Sequence, residues 1–328
     1  MMRIQAVRIH RHGGADQLRL EDVSIPAPTQ GEVLVRNTAI GVNYADIYER
    51  EGDHGGPHSA KAMPITLGHM AAGVIETVGP KVQGLTRGMR VGYIGPDSYA
   101  THTLVSAGRI IPLPDNVSDE AVGGYLLRGL TAEYLLRRLY PVQQGTVALV
   151  HAAAGGMGLI LGQWGALLGA RMIGTTSSAE KAAIALDNGY DAIIDYTQED
   201  FVARTMALTE ERGADVIYDG VGKSAFLKSL DCIRPRGMVV SYGTASGNVG
   251  AFDLQLLHSK SIVVTRPTLR SWISDPDEAR QAAAALFDVL GSGKIRLPLG
   301  QALPLREAAE AHRQLESRAL TAPIILIP

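Results

Sequence analysis

The feature that most constrains this chain is a series of short apolar runs that begins at residue 147 and recurs with helix-patterned stretches in between. VALVH (147–151), RMIGT (171–175), AIID (192–195), DVIYD (215–219), MVVSY (238–242) and SIVVT (261–265) each suit one buried strand and are too short for a buried helix. Helical patterns fall at 157–168, at 179–188, near 200–211 and near 224–232. Six strands with such crossovers predict an α/β fold with a doubly wound, Rossmann-type parallel sheet, because parallel neighbours need a long return connection.

The first 118 residues have another texture. VLVRNTAIGVN, AGVIETVG and MRVGYI read as strands between Gly and Pro breaks, which predicts an irregular β-barrel or sandwich. After Pro267 an amphipathic helix at 276–290 leads to the apolar strand APIILI, expected to return to the first domain. The reading is three segments: 1–125, 126–266 and 267–328. With 328 residues, 46 % of them apolar, there is material for two cores.

A formal charge of −2 argues against nucleic acid or an anionic membrane as partner. No apolar run spans a bilayer, and the N-terminal stretch alternates like a strand, which predicts a cytoplasmic protein. The lone Cys232 excludes an internal disulfide and a four-thiolate zinc site.

VALVH runs into AAAGGMG (152–158) and then into a helical stretch. Small residues let backbone approach a pyrophosphate, and the new helix offers its N–H groups and positive dipole end. Gly155 and Gly156 suit the close approach, and Gly158 lets the helix lie against the sheet. The spacing is G-G-x-G rather than G-x-G-x-x-G, so an ordinary tight turn is the alternative. An NAD site carries an acid about 20 residues on. Here Thr175 stands there, followed by Thr176, Ser177, Ser178 and, after Glu180, Lys181. Hydroxyls with a cation suit a 2′-phosphate, which predicts NADPH over NADH. A solvated helix lysine is the alternative for Lys181.

GVNYADIY (41–48), LLRGLTAEYLL (126–136), HAAAGGMG (151–158), SSAEK (177–181), YDGVG (218–222), SYGTASG (241–247), VTRPTL (264–269) and LESRA (315–319) occur in that order over essentially the full length. In this the chain resembles the zinc-independent NADPH:quinone oxidoreductases, the zeta-crystallin-like group of the medium-chain dehydrogenase/reductase superfamily. The resemblance implies a GroES-like catalytic domain, a Rossmann-type NADPH domain and an active-site cleft between them. It puts Tyr44, Asp46 and Tyr48 beside the nicotinamide half of the cofactor, with Thr131 and Tyr134 approaching from the domain junction. Gly156 and Met157 present backbone to the pyrophosphate, and Ser177, Lys181, Tyr196 and Arg318 surround the 2′-phosphate. Gly220, Tyr242, Gly243, Thr244, Thr265 and Arg266 line the cofactor. It also implies a homodimer through the cofactor-domain sheet edge, for which SIVVT is the candidate.

LGHMAAG (67–73) poses the question of a metal. A catalytic zinc of this superfamily needs three protein ligands, commonly two thiolates and an imidazole. Asn43 stands where the first thiolate belongs, residues 123–131 hold no cysteine, and Met70 replaces an acid after His69. The expectation is no metal at His69. Asp53, His54 and His58 in EGDHGGPH read as a mobile loop near the substrate mouth rather than as a metal site. Without a Lewis acid the acceptor must already be electron-poor: a quinone, or an α,β-unsaturated carbonyl. Asn43 and Tyr48 are the candidate donors to its developing oxyanion, with Arg128 as an added cation. Their alternatives are a turn residue, a packing wall and a structural arginine, and Asp46 reads as an orienting acceptor. The rival functions are an NADPH-dependent enone, enal or acrylate reductase and a non-catalytic NADPH-binding sensor.

Overall fold

A computed structural model describes residues 1–52, 62–317, 320 and 322–328. β1 (Met2–Ile9) pairs antiparallel with β2 (Arg19–Ile25), Met2 standing opposite Ile25. β3 (Glu32–Gly41) leads through Asn43 into α1 (Tyr44–Glu51). β4 (Ile65–Thr66) pairs with β1. β5 (Met70–Val78), β6 (Arg90–Ile94), β7 (His102–Ser106) and β8 (Ile110–Pro112) build the larger sheet, in which β3 is flanked by β5 and β7. Val33, Val35, Ile40, Ile75, Val91 and Tyr93 fill its core. Fully burying an aliphatic side chain of this size contributes about 1.5–3 kcal/mol.

α2 (Asp119–Glu133) is an element that the sequence reading left unassigned. Its glycine pair explains both the omission and the packing. A Cβ on Gly123 would lie 2.9 Å from the Ala39 Cβ, and one on Gly41 would lie 2.3 Å from the Gly123 carbonyl oxygen. Helix and strand touch backbone to backbone there, while Val122, Tyr125, Leu126 and Leu130 bury the helix's apolar face. The helix then widens over Tyr134–Leu139, where the Tyr140 N–H bonds the Leu135 carbonyl.

The parallel sheet matches the sequence reading closely. β9 (Val147–Val150), α3 (Gly156–Leu167), β10 (Arg171–Thr176), α4 (Ala179–Leu186), β11 (Ala192–Asp195), α5 (Phe201–Leu208), β12 (Ala214–Asp219), α6 (Phe226–Ser229), β13 (Ile233–Ser241) and β14 (Val263–Thr265) follow in turn. The strand order β11-β10-β9-β12-β13-β14 is that of a doubly wound nucleotide-binding sheet. Two boundaries differ. The helix near 224–232 is a single turn, so Cys232 lies beyond it. Ser261 takes a left-handed φ of 51°, so the last strand starts two residues after the first residue of SIVVT.

α7 (Leu269–Trp272) precedes α8 (Pro276–Gly291), whose start is capped by the Asp275 carboxylate accepting from the Asp277 and Glu278 N–H groups. β15 (Gln301–Pro304), α9 (Ala308–Glu316) and β16 (Ile324–Ile327) end the chain, and β16 pairs with β3, Ile325 opposite Gly41. The chain divides into two compact units: Met1–Leu127 with Ala279–Phe287 and Pro298–Pro328, and Arg128–Glu278 with Asp288–Leu297. Among the described residues no helix is long and apolar enough to cross a membrane.

Candidate active site

In the first unit the end of β3 delivers Asn43 as the residue before α1, in an extended conformation. Asp46, at the third helical position, accepts from the Asn43 backbone N–H at 2.7 Å. The Asn43 side chain is buried, and neither its amide nitrogen nor its oxygen has a hydrogen-bond partner among the described residues. A buried side-chain amide without a protein partner is rare.

Asp46 is fully buried. Its Oδ1 lies 2.6 Å from His69 Nδ1, and its Oδ2 accepts from the Tyr99 hydroxyl at 3.2 Å. Tyr99 lies 3.0 Å from His312 Nε2, and His312 Nδ1 lies 3.2 Å from Arg50 Nη1. Arg50, with its side chain 1 % exposed, also donates to Glu316, Glu51 and the Gly13 carbonyl. His69 Nε2 lies 3.6 Å from the Glu49 carboxylate. Tyr44 donates to the Leu315 carbonyl at 3.1 Å, and its ring centroid is 6.1 Å from that of Tyr48. Sequence reasoning missed this chain of groups. Arg50 and His312 are 262 residues apart, and no local pattern signals that they meet.

In the second unit β9 turns through residues 151–155 into α3. Ala152 adopts a left-handed φ of 58°, a conformation that costs a non-glycine residue about 1 kcal/mol or more. Gly155 precedes the helix, and no side chain caps it, so the first N–H groups, including those of Gly156 and Met157, suit an anion. The Arg128 guanidinium comes within 3.2 Å of where a Gly156 Cβ would stand, beside this helix start.

At the ends of β10 and β11, Thr176 stands opposite Asp195. Ser178 caps α4 by accepting from the Lys181 N–H, and the Tyr196 N–H donates to the Thr176 carbonyl. Ser177 and Lys181 are half-buried beside them, while the Tyr196 ring is exposed. The acid nearby, Asp195, is turned onto the Thr197 hydroxyl at 2.7 Å. Next along the sheet, the half-buried Tyr242 covers Gly220, and Gly243 packs against the Gly220 carbonyl. The loop runs on through Thr244. Thr265 lies on β14, and Arg266 donates to both the carbonyl and the hydroxyl of Ser241. Thr131 is half-buried on α2.

Two residues expected beside the cofactor have other partners. The three donors to Asp46 leave it no surface. Tyr134 is 1 % exposed and stacked on Trp272, with centroids 5.2 Å apart. Arg318 and the segment holding Asp53, His54 and His58 lie outside the described residues.

His151 lies between the Thr175 and Ser229 hydroxyls, at 3.0 and 2.9 Å. Burial holds it and His312 down to about pKa 4. At His312 the Asp46 and Glu316 charges oppose that shift and Arg50 reinforces it. Unfolded, both histidines titrate near 6.5. As pH falls from about 6.5 to about 4, the unfolded chain binds protons that the folded chain refuses. Stability is therefore full above that window and falls through it by about 3 kcal/mol per histidine. Asp215, held to about 2 by Arg212, the Val147 N–H and Arg234 despite its burial, acts only at lower pH. Urea unfolding at pH 7.5 and at pH 5 checks this, and equal midpoints contradict it.

A barrel-like unit followed by a doubly wound sheet with an anion-ready helix start defines a two-domain nucleotide-dependent dehydrogenase or reductase. Family models for an alcohol dehydrogenase GroES-like domain and a zinc-binding dehydrogenase match residues 29–138 and 156–288. A quinone oxidoreductase of Pseudomonas aeruginosa is 40 % identical over 98 % of this chain and 99 % of that one. A 2-haloacrylate reductase of Burkholderia is 39 % identical over 99 % of both. The crystal structure of the Escherichia coli quinone oxidoreductase complexed with NADPH superposes with a TM-score of 0.94 at 38 % identity, covering 99 % of this chain and 100 % of that one. The chain belongs to the quinone oxidoreductase family of the medium-chain dehydrogenase/reductase superfamily.

The name of one matched family model raises zinc, and the donor set does not fit it. The Asn43 amide is a poor zinc ligand, and Cys232 is buried in the other unit. Among the described residues no group of three His, Cys, Asp or Glu could hold a metal ion.

Proposed function

We propose that the protein is an NADPH-dependent quinone reductase that works without zinc. The observation that carries this reading is the placement of Ser177, Lys181 and Tyr196 just beyond the ends of β10 and β11, where Asp195 Oδ1 accepts from the Thr197 hydroxyl, in a chain about 40 % identical to quinone oxidoreductases. NADPH, when bound, supplies a hydride to the acceptor. The chain's own residues hold and orient. The Gly156 and Met157 N–H groups and the Arg128 guanidinium take the pyrophosphate, and Ser177 and Lys181 take the 2′-phosphate. The residues from Gly220, Tyr242–Thr244, Thr265 and Arg266 flank the nucleotide at the carboxyl ends of the strands. The orphan Asn43 amide and the Tyr48 hydroxyl donate to the acceptor oxygen as charge develops on it.

The similarity to a 2-haloacrylate reductase supports activated alkenes as a second acceptor class. Following NADPH oxidation with p-benzoquinone, naphthoquinones, haloacrylate and enals tests the choice. Quinones turning over fastest is the expected result; alkenes turning over alone favours the second reading. Tight NADPH binding with no turnover makes the protein a sensor. Lys181→Ala is expected to raise the KM for NADPH about tenfold, the loss of one charge-assisted pair, and to leave that for NADH unchanged. Equal losses for both nucleotides count against the 2′-phosphate site. The same reading carries a homodimer at the β14 edge, where Val263 is 47 % exposed, and a cytoplasmic location, which the single unpaired cysteine fits.

A further inference from the structure

The hydrogen bonds behind Asp46 have only one consistent direction. Arginine carries donors and no acceptor, so Arg50 donates to His312 Nδ1. Buried and neutral, His312 then carries its proton on Nε2 and donates it to the Tyr99 oxygen. Tyr99, kept protonated by burial and by the Asp46 charge, donates to Asp46 Oδ2. That carboxylate also receives the Asn43 N–H on Oδ2, while its Oδ1 faces His69 Nδ1, and between a carboxylate and the more basic imidazole the shared proton stays on the nitrogen. His69 therefore keeps its proton on Nδ1, and Nε2 is the nitrogen that gains and loses one. Arg50, His312, Tyr99 and Asp46 have no exposed surface, whereas the His69 side chain is 19 % exposed. At its Asp46 end the line of buried groups reaches the partly exposed His69 imidazole. The orphan Asn43 amide is tethered to the same carboxylate.

We propose that His69 is the general acid of the reduction, donating its Nε2 proton to the acceptor's carbonyl oxygen, with Asp46, Tyr99, His312 and Arg50 as positioning residues that fix its tautomer. This rests on the quinone-reductase reading. As the acceptor takes the nucleotide's hydride, with its two electrons, the Nε2–H bond breaks and an O–H bond forms. Hydroquinone and neutral imidazole result, and a proton from water restores the imidazolium. Among the described residues, Asp46 and Glu49, both on α1, are charged groups that face His69, with the Tyr99 hydroxyl behind Asp46. The two ring nitrogens each face a carboxylate, a pairing that an imidazolium satisfies on both sides.

Two measurements test it. In nitrogen-15 NMR of the histidine-labelled protein without nucleotide, His69 Nδ1 is expected to stay protonated across its titration while Nε2 titrates. Tyr99→Phe should blur that preference. In turnover with p-benzoquinone, His69→Gln is expected to lower kcat on the order of 100-fold with KM for NADPH unchanged, and to flatten the alkaline fall of the wild-type pH profile. A titrating Nδ1, or a His69→Gln kcat within twofold of an active wild type, overturns the proposal and leaves the quinone-reductase reading standing. A wild type inactive on every quinone overturns that reading, and this proposal with it. A folded His69→Gln, verified by its melting temperature, excludes loss of structure as the cause.

Discussion

Gly158→Val is expected to raise the Kd for NADPH at least about 100-fold, equivalent to roughly 2.7 kcal/mol of binding. A Cβ at this position would stand 2.3 Å from the Ala153 carbonyl oxygen and 2.5 Å from that of Ala152. Both atoms are backbone of the phosphate turn, and neither can swing aside as a side chain would. The turn must open or α3 must lift from it, and either movement carries the Gly156 and Met157 N–H groups away from the pyrophosphate. Titration of NADPH fluorescence measures the effect. A variant that binds within a few-fold of wild type contradicts the assignment of this turn.

Arg50→Met is expected to destabilise the protein by about 3 kcal/mol, the low end for removing one partner of a buried ion pair. Two effects oppose each other. Glu316 and Glu51 are 34 % and 41 % exposed, so water can recover part of their lost pairing. The Gly13 carbonyl and His312 Nδ1 lose a donor inside the protein, and unsatisfied buried groups cost about 1–3 kcal/mol each. The second effect dominates. Arg50→Lys rescues little, since an ammonium cannot hold these partners in a planar fork. Denaturant unfolding measures it, and a loss under 1 kcal/mol counts against a structural role for the chain of groups behind Asp46.

The cofactor unit was legible because its signals are local. Each strand of the parallel sheet is one apolar run, AIID (192–195) matching β11 residue for residue, and the glycine-rich turn and hydroxyl cluster sit at strand ends fixed by that rhythm. Ser261 shows the limit, since a single left-handed residue shortened a strand that composition alone extends. α2 was hidden because the Gly123-Gly124 pair reads as a break, although Val122, Tyr125, Leu126 and Leu130 recur at helical spacing and are buried. Asn43 was singled out from the sequence, but the burial of its amide without partners among the described residues appears only in three dimensions. Asp46, placed beside the cofactor by likeness, is bonded to His69, Tyr99 and the Asn43 backbone. Tyr99, Arg50 and His312 reach it through contacts between distant segments that no spacing reveals.

The most direct test of the central claim is steady-state oxidation of NADPH and of NADH by p-benzoquinone, with the enzyme held in a metal chelator. NADPH preferred at least about tenfold in kcat/KM, at a rate the chelator leaves unchanged, is the predicted result. Equal use of NADH, or a rate that collapses in chelator and returns with added Zn²⁺, would contradict it.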